Sequence, residues 1–321
     1  MSDESKIQNL KFKIAFLFPG QGSQSVGMGK DLFDNYKAAR EVFDEADEAL
    51  GFSISKMCFT GGEADLQLTA NTQPAILTAS IAAYRALESE GFPLPDFVAG
   101  HSLGEYSALV AAGVLDFTDA VRTVRKRGTY MQEAVPVGTG AMAAIIGRLD
   151  VSTIESACAE ASRGDVCSPA NINSPSQVVI AGNTGAVDRT CELLKEAGAK
   201  RAIKLNVSAP FHCALMMPAQ ERLAEDLLKL KYGNFASPIV QNVDAEPNDN
   251  AARVCDALTR QVSSPVLWLQ TVRVLIEKGV ETFVEVGPGK ILSGLVRQID
   301  GNARVLNAEN SESLENSIGL L

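Results

Sequence analysis

The 321-residue sequence is poor in the residues that build most metal and redox sites. It contains two histidines, one tryptophan and six cysteines, and the cysteines are scattered without a Cys-x-x-Cys spacing. That pattern argues against a zinc knuckle or a redox pair and is typical of reduced thiols in a cytoplasmic protein. Two histidines also leave little scope for a histidine-based metal site. The composition therefore predicts a protein without a metal and without a cofactor.

The sequence also lacks an excess of positive charge and a long apolar run. Lys and Arg number 29 against 39 Asp and Glu, which gives a net charge of −10. Nucleic-acid binding needs a basic face to neutralise phosphates, so that class is excluded. The apolar stretch IAFLF at 14–18 is too short for a signal peptide or a membrane span, and the residues before it are expected to be a loose lead-in.

Apolar runs alternate with amphipathic stretches, which indicates an α/β fold with a mostly parallel sheet. The sequence predicts strands at 12–18, 96–100, 238–243 and 281–287, and helices at 29–50, 73–91, 103–113, 118–135 and 265–278. Between them, the segment 141–207 has the order β-α-β-β-α-β of a ferredoxin-like domain. We therefore predict a parallel-sheet domain built from 1–136 and 208–321, interrupted by a small domain at 137–207.

The segment Gly100-His-Ser-Leu-Gly104 matches G-x-S-x-G and lies between a predicted strand and a predicted helix. In that context the serine projects from a sharp turn, and the N–H of Leu103 lies at the helix N-terminus, where negative charge is favoured. This arrangement suits an acyl-transfer nucleophile beside an oxyanion hole. The motif alone also occurs in ordinary glycine-rich turns, so the context carries the prediction that Ser102 is catalytic.

A serine nucleophile needs a base, and only His101 and His212 are available. The side chain of His101 is expected to diverge from its neighbour Ser102 on the turn. His212 follows in the order Ser then His that α/β-hydrolases use, so it is the stronger candidate. The carboxylates in range by chain order carry no signal that would single one out as a partner of the base: Asp150, Asp165, Asp188 and Asp244.

The glycine-rich turn at 19–29 raises the question of phosphate binding. A dinucleotide motif starting at Gly20 requires glycine where Ser25 stands, and a Walker loop ending at Lys30 requires glycine where Gln24 stands. Both motifs fail. The turn is left either as a simple connection or as a loop whose backbone donates hydrogen bonds at the mouth of a site.

One arginine in the predicted helix 118–135 lies on the apolar side. At about 100° per residue, one stripe contains Ala120, Val121, Val124, Gly128, Met131 and Val135. Arg122, Arg125 and Lys126 lie outside this stripe and are expected to be solvated, whereas Arg127 lies at its edge. A buried guanidinium requires an anion. The pattern leaves open whether that anion is an internal carboxylate or a ligand.

Taken together, the motifs resemble those of the acyltransferase family of fatty acid and polyketide synthesis, in particular the bacterial malonyl-CoA:acyl carrier protein transacylases. The resemblance covers nearly the whole chain and rests on FPGQGSQ (18–24), TQPA (72–75), GHSLGEYSAL (100–109), Arg127 with MQEAVP (131–136), NxNSP (171–175), QVVIAG (177–182), PFHC (210–213), RQ-xxx-PVxW (260–268) and EVGPGK (285–290).

This resemblance implies a role for each candidate residue. Ser102 is acylated, His212 is the base, the backbone N–H groups of Gln21 and Leu103 form the oxyanion hole, and Arg127 binds the malonyl carboxylate. A backbone carbonyl near Gln261 orients the histidine in place of an acid. The remaining residues line or support the cleft: Gln73, Met131, Asn171 and Asn173.

The implied reaction is a ping-pong transfer of malonyl from malonyl-CoA to the phosphopantetheine thiol of acyl carrier protein, in fatty acid synthesis, by a monomer. Phe211 beside His212 favours malonyl over methylmalonyl. Because carrier proteins of this kind are acidic, docking is expected at Arg122, Arg125 and Lys126 or at Lys200, Arg201 and Lys204. The alternatives are a serine hydrolase, such as a thioesterase, and a carrier-protein binding module without catalysis.

Overall fold

The computed structural model describes residues 13–207 and 209–320, so the lead-in expected before residue 12 lies outside the described residues. Ten strands form two separate sheets. In chain order the strands are β1 (Lys13–Phe18), β2 (Phe97–Gly100), β3 (Gly140–Ile146), β4 (Cys167–Ser174), β5 (Gln177–Asn183), β6 (Arg201–Lys204), β7 (Ile239–Val240), β8 (Pro247–Asn248), β9 (Val280–Val286) and β10 (Arg304–Ala308).

Helices precede, follow and cover these strands. In chain order they are α1 (Lys30–Asn35), α2 (Lys37–Leu50), α3 (Ile54–Thr60), α4 (Glu63–Gln67), α5 (Thr69–Ser89), α6 (Gly104–Ala111), α7 (Phe117–Glu133), α8 (Val151–Ser162), α9 (Thr184–Glu196), α10 (Met217–Leu227), α11 (Val254–Gln261), α12 (Trp268–Glu277), α13 (Ile291–Ile299) and α14 (Ser311–Gly319). Within the described ranges, no helix is long and apolar enough to cross a bilayer.

The larger sheet has the strand order β10-β9-β1-β2-β7-β8, and all its pairs are parallel except β7 with β8. Parallel neighbours bring their carboxyl ends to one edge, where α/β proteins place their ligands. At this edge β1, β2 and β7 are followed by Gln21, Ser102 and Asn242, respectively. The topology therefore gathers three segments that are far apart in the sequence.

The larger sheet is buried on both faces, as its apolar strands predict. Along β1, Ile14, Phe16 and Phe18 belong to the core beneath the helices that include α2 and α5, whereas Ala15 and Leu17 pack in the opposite core with Trp268 and Phe283. This alternation follows from the two-residue period of a strand. The edge that carries the site is consequently held between two packed layers.

The second sheet has the order β4-β5-β3-β6 with antiparallel pairing throughout, and helices α8 and α9 lie within its connections. This is the β-α-β-β-α-β arrangement of a ferredoxin-like domain, so the predicted fold class is confirmed. The domain bounds predicted at 137–207 stay a prediction. A two-residue bridge joins Asn171 to Val266, through which β4 contacts the segment before α12.

Three predicted elements differ from the structure. The helix expected over 29–50 is two helices, because Tyr36 adopts an extended conformation and the Asn35 side chain donates to Asp31 O at 2.9 Å, closing α1. The strand expected over 238–243 is limited to β7, because its continuation turns toward the site. The last strand of the segment 141–207, expected to run to residue 207, is limited to β6 and ends before Leu205.

A fourth difference concerns Arg125, which the helical stripe predicts to be solvated. Helix α5 begins at Thr69, before the expected start at 73, and contains Pro74. Proline lacks an N–H, so it cannot bond the Ala70 carbonyl one turn earlier. Arg125 Nη1 donates to that carbonyl at 2.7 Å and also contacts the Asn71 side chain, so Arg125 is half-buried. Arg122 and Lys126 are exposed, as predicted.

Candidate active site

Ser102 lies on a sharp turn between β2 and α6. Its φ of 52° is in the left-handed region, which is unfavourable for a serine and common at catalytic turns. The glycines on either side permit the turn to form. A Cβ on Gly100 would lie 1.9 Å from Gly104 O, and one on Gly104 would lie 2.0 Å from Phe18 O. A larger residue at Gly104 would therefore push the turn away from the end of β1, and one at Gly100 would push β2 away from the start of α6.

The imidazole of His212 reaches this serine across the fold. Its Nε2 lies 2.7 Å from Ser102 Oγ, and its Nδ1 lies 2.9 Å from the backbone carbonyl of Gln261. A carbonyl can only accept, so Nδ1 carries the proton and Nε2 is free to accept the Ser102 hydroxyl proton. His212 also has a left-handed backbone, with a φ of 60°. The dyad is thus completed by a carbonyl in the place of an acid.

The surroundings of His212 keep it neutral. Burial, together with the nearby positive charge of Arg127, lowers the pKa of His212 to about 3. Its side chain is 3% exposed. A neutral imidazole with an unprotonated Nε2 is the form that a general base requires.

The other histidine and the aspartates lie elsewhere. His101 Nε2 is 2.8 Å from Asn173 Oδ1, and its ring packs 5.5 Å from that of Trp268. This contact joins the nucleophile turn to β4 and makes no use of Ser102. Of the aspartates in range, Asp165, Asp188 and Asp244 pair with Arg189, Lys204 and Arg260, and Asp150 is the N-cap residue of α8.

Two residues that line the cavity beside Ser102 have backbone N–H groups without an acceptor in the described residues. Leu103 is the N-cap residue of α6, and Gln21 follows β1; both line the same cavity as Ser102. In residues 13–207 and 209–320, neither N–H donates to an acceptor. The loop approaches closely because Gly20 has no side chain: a Cβ there would lie 2.3 Å from His101 O. Unpaired donors at such a position suit a developing oxyanion.

The guanidinium of Arg127 is 1% exposed and lies next to Ser102. Nη2 donates to Ser102 Oγ at 3.1 Å and to Gln261 Oε1 at 2.9 Å, and Nη1 donates to Gln73 Oε1 at 2.8 Å. The ring of Tyr106 lies 5.6 Å from Arg127 Cζ, within the range of a cation–π contact.

All the hydrogen-bond acceptors of Arg127 are uncharged. In the part of the chain that the structure describes, no carboxylate forms an ion pair with it. Burial lowers the pKa of Arg127, but an arginine keeps its charge at neutral pH. The buried carboxylate of Glu105 acts on the charge of Arg127 without pairing with it. A buried guanidinium whose hydrogen-bond acceptors are all neutral favours the binding of an anionic ligand.

A cavity of about 100 Å³ lies between the two sheets, and Ser102 is one of the residues that line it. Most of the predicted site residues line it: Gln21, Gln73, Ser102, Leu103, Arg127, Met131, Asn171 and His212. Gln261 supports this cavity from behind through its hydrogen bonds. Asn173 lies instead in an adjoining cavity of about 280 Å³, which shares Gln21 and Asn171 with the first. The small domain adds three apolar lining residues that the sequence did not indicate: Met142, Leu205 and Val207.

The sequence also did not indicate a buried carboxylate behind the nucleophile. Glu105 is fully buried and accepts from Gln261 Nε2 at 2.9 Å, Asn242 N at 3.0 Å and Gln241 Nε2 at 3.1 Å. Burial raises the pKa of Glu105, and these hydrogen bonds oppose that rise. Asn242 in turn accepts the Ser102 N–H at 2.7 Å. Glu105 therefore joins the segments that hold both members of the dyad.

Comparison with known proteins agrees with this geometry. Residues 15–312 match the family model described as "Acyl transferase domain". The malonyl CoA-acyl carrier protein transacylase of Escherichia coli K12 is 53% identical over 287 residues, covering 89% of this chain and 93% of that protein. The resemblance found in the sequence motifs is therefore confirmed.

Solved structures show the same similarity. The crystal structure of an acyl carrier protein S-malonyltransferase from Vibrio cholerae superimposes with a TM-score of 0.93 at 48% identity, covering 95% of this chain and 99% of that chain. The structure of a malonyl-transacylase in complex with a type II PKS acyl-carrier protein gives a TM-score of 0.94 at 45% identity, covering 96% and 100%. The chain belongs to the acyl transferase domain family and is an acyltransferase.

Proposed function

We propose that this enzyme transfers a malonyl group from malonyl-CoA to the phosphopantetheine thiol of acyl carrier protein, through a malonyl ester on Ser102. The observation that carries the proposal is the buried guanidinium of Arg127, which has no carboxylate partner in the described residues and lies 3.1 Å from Ser102 Oγ. Because the guanidinium lies so close to Ser102 Oγ, a substrate that pairs with it must have a carboxylate close to the reacting carbonyl. The small cavity also suits a short acyl chain.

The first half-reaction uses the dyad and the two unpaired N–H groups. His212 Nε2 takes the Ser102 proton as Oγ attacks the thioester carbonyl, and the Gln261 carbonyl stabilises the imidazolium that forms. The oxyanion lies between the N–H groups of Gln21 and Leu103, each worth roughly 3–4 kcal/mol of barrier. The tetrahedral intermediate then collapses, and coenzyme A leaves with the proton from His212.

In the second half-reaction the pantetheine thiol of acyl carrier protein enters and gives its proton to His212. Attack on the malonyl-serine ester releases the malonyl-carrier protein and restores the Ser102 hydroxyl. We propose that the thiol approaches through the adjoining cavity, which is lined by Gln21, Asn171 and Asn173. The relatives named as malonyl CoA-acyl carrier protein transacylases support these substrates.

Arg127 would set the acyl selectivity. A malonyl carboxylate accepts a charge-assisted pair of hydrogen bonds from the guanidinium, whereas an acetyl group leaves the buried cation without an anion. Once Ser102 Oγ is acylated, the Nη2 group that contacts it becomes available to the carboxylate. Phe211, which is buried in the cavity wall, supports selection of malonyl over the bulkier methylmalonyl.

The carrier protein has two candidate docking surfaces, and we propose the one on the small domain. Lys126 is paired with Asp226, and Arg122 donates to Ala49 O, so the cations of α7 are engaged. Lys200 and Arg201 are exposed at the start of β6, whose chain continues into Leu205 and Val207 at the cavity. Lys204, the third member of that set, is paired with Asp188. An acidic partner would therefore meet positive charge that has no ion pair within the described residues, on the strand whose other end leads to the cleft.

We also propose that the enzyme is a cytoplasmic monomer. A single chain brings Ser102, His212 and Arg127 together, so the proposed chemistry does not need a second copy. None of the six cysteines forms a disulfide, which supports a reducing, cytoplasmic location. We also propose that the malonyl units supply fatty acid synthesis; the relative in complex with a type II PKS acyl-carrier protein keeps polyketide synthesis as the alternative.

Intact mass after brief mixing with malonyl-CoA tests the proposal. We expect the wild type to gain one malonyl group and Ser102→Ala to gain none, because Oγ is the only acceptor proposed. Added acyl carrier protein should discharge the adduct. A wild type that never acquires the adduct contradicts the transacylase function. Rapid loss of the adduct to water, without a thiol acceptor, would instead indicate a hydrolase, and carrier-protein function that survives in Ser102→Ala would indicate a binding module.

A further inference from the structure

A pair of cysteines in the small domain has no role in the acyl-transfer site. Cys158 lies in the last turns of α8, and Cys167 begins β4. Their Sγ atoms are 3.7 Å apart, within hydrogen-bonding distance for sulfur. The two residues are separated in sequence by a turn that contains Arg163 and Gly164, both with positive φ, which returns the chain directly from helix to strand. The fold therefore holds two thiols face to face.

The two thiols differ in access to solvent. Cys158 is 2% exposed and belongs to the core of the small domain, whereas Cys167 is half-buried at the rim of that core. A dissolved oxidant therefore meets Cys167 first. Cys158 lies behind it, where it is protected from solvent but within reach of the Cys167 sulfur.

The surroundings of Cys167 favour its thiolate. Hydrogen bonding with Cys158, with further help from the Thr190 hydroxyl at 3.3 Å and the charge of Arg189, lowers the pKa of Cys167 below its usual range, despite partial burial. The same pairing raises the pKa of Cys158. Arg189 is fixed beside them by its bonds to Ala161 O and Asp165. A thiolate that is accessible and sits next to a second thiol is the arrangement of a peroxide-sensitive cysteine.

We propose that Cys167 and Cys158 form a peroxide-reactive dithiol, in which Cys167 is oxidised and Cys158 resolves it to a disulfide. The Cys167 thiolate attacks one oxygen of hydrogen peroxide; the O–O bond breaks and hydroxide leaves, to be protonated to water. The Cys158 sulfur then attacks the resulting sulfenic acid, the S–O bond breaks, and the hydroxyl leaves as water with the Cys158 proton. Two thiols and one peroxide thus give one disulfide and two waters.

Little movement is needed to complete this step. The two Sγ atoms are 3.7 Å apart, and in a disulfide bond they would be about 2.0 Å apart. The bond would tie the end of α8 to the start of β4, the strand that also carries Asn171 and Asn173. Further oxidation of Cys167 to the irreversible sulfinic acid would be prevented once the disulfide has formed.

Mass spectrometry of the full chain treated with hydrogen peroxide tests this proposal without using transfer activity. We expect the wild type to lose the mass of two hydrogens, to regain it with dithiothreitol, and to yield a Cys158–Cys167 peptide on non-reducing digestion. In Cys158→Ser we expect Cys167 to gain one oxygen and to be trapped by dimedone. The matched control is Cys191→Ser, which removes a buried thiol of the same domain and should still form the disulfide.

Three outcomes would overturn the proposal. The first is oxidation of Cys167 to sulfinic acid in the wild type without a disulfide. The second is a disulfide that joins Cys167 to Cys191. The third is oxidation of another cysteine, such as Cys255, before Cys167. Because peptide mapping of the wild type alone distinguishes these outcomes, the test holds even if a serine variant folds poorly, and it is independent of the proposed acyl transfer.

Discussion

The two sheets contribute to the cleft in different ways. The parallel sheet, with the helices and loops packed on it, supplies the reacting groups and the hydrogen bonds that fix them: Asn242 accepts the Ser102 N–H, and Gln261 binds both His212 and Arg127. The antiparallel sheet and the residues directly after it, up to Val207, mainly supply cavity walls, including Met142, Leu205 and Val207. The difference teaches that polar groups are fixed where bonds are made and broken, whereas the opposite wall shapes access.

This division predicts that substitutions on the parallel-sheet side change the rate of acylation, and that substitutions on the small domain change the use of the carrier protein.

The largest effect is expected at Arg127. In Arg127→Ala, malonyl loading of Ser102 should fall on the order of 100-fold, about 3 kcal/mol, because a charge-assisted pair is lost. Acetyl loading should fall much less, because an acetyl group has no carboxylate to accept hydrogen bonds from Arg127.

The measurement is single-turnover loading with malonyl-CoA and acetyl-CoA. Arg127→Lys is the matched control, because it keeps the charge but lacks the planar pair of donors, and we expect it to fall between wild type and Arg127→Ala. An unchanged ratio of malonyl to acetyl loading in Arg127→Ala would contradict the assigned role.

A smaller effect is expected at Glu105, which acts on the dyad through Asn242 and Gln261. In Glu105→Gln an amide NH₂ faces donors, so at least one buried hydrogen bond is lost, and we expect loading to slow by roughly 10- to 100-fold, about 1–3 kcal/mol. The KM for malonyl-CoA should change little, because Glu105 does not touch the cavity.

The matched control is Glu285→Gln. Glu285 is also a fully buried carboxylate, and it accepts the N–H groups of Leu292 and Ser293 at the start of α13. We expect this variant to lower thermal stability while loading stays close to that of the wild type. If both variants slow loading equally, Glu105 has a structural role only.

Reversal of charge on the small domain should produce a smaller and more selective change. In Lys200→Glu with Arg201→Glu, we expect the discharge of malonyl-Ser102 by acyl carrier protein to slow several-fold at low salt, with first-step loading unchanged. Arg122→Glu on α7 serves as the control. Equal slowing in the control would favour the other surface, and no slowing in either variant would exclude both.

The smallest change is expected on lowering the pH. Because the pKa of His212 is lowered to about 3, the base stays unprotonated from pH 8 to pH 5, and loading should show no loss from this group over that range. A base with the ordinary pKa of about 6.5 would lose roughly tenfold per unit below it. Single-turnover loading against pH distinguishes the two. Arg127→Ala should raise the pKa of His212, because the positive neighbour is removed.

The same shift affects stability. Below about pH 6.5 the unfolded chain binds a proton on this histidine, while the folded protein does not until about pH 3. Above pH 6.5, protonation of His212 therefore does not affect the free energy of unfolding. As the pH falls from 6.5 toward 3, protonation of this histidine in the unfolded chain lowers the free energy of unfolding.

Much of this fold and site was predictable from local patterns. The G-x-S-x-G turn, the β-α-β-β-α-β segment and the apolar stripe beside Arg127 each depend on neighbouring residues, so the sequence indicates them directly. With only two histidines, and one adjacent to the serine, the base could also be narrowed to His212. Its contact with Ser102 depends on the topology that brings the two segments together.

The features that were not predicted depend on distant partners. Glu105 and Asn242 look like ordinary polar residues until the ends of β2 and β7 lie side by side. Arg125 is held in a half-buried position by its hydrogen bond to the Ala70 carbonyl, which Pro74 leaves unpaired in a different helix. Helices α3 and α4 are only seven and five residues long, too short to display a periodic pattern, and are stabilised by packing, which a single sequence does not display. Helices α10 and α11 are amphipathic, so their local pattern does indicate them, and the prediction missed them.

Ser102 and His212 share the left-handed backbone described above, and this has a consequence for the evolution of the enzyme. Glycine adopts this backbone conformation without strain, whereas serine and histidine do not. The two reactive side chains therefore lower the stability of the fold. Glycine at either position would relieve this strain and at the same time remove the reactive side chain. Because the glycines of the turn leave no room for a larger residue, we expect stabilising substitutions to be tolerated mainly away from the parallel-sheet edge.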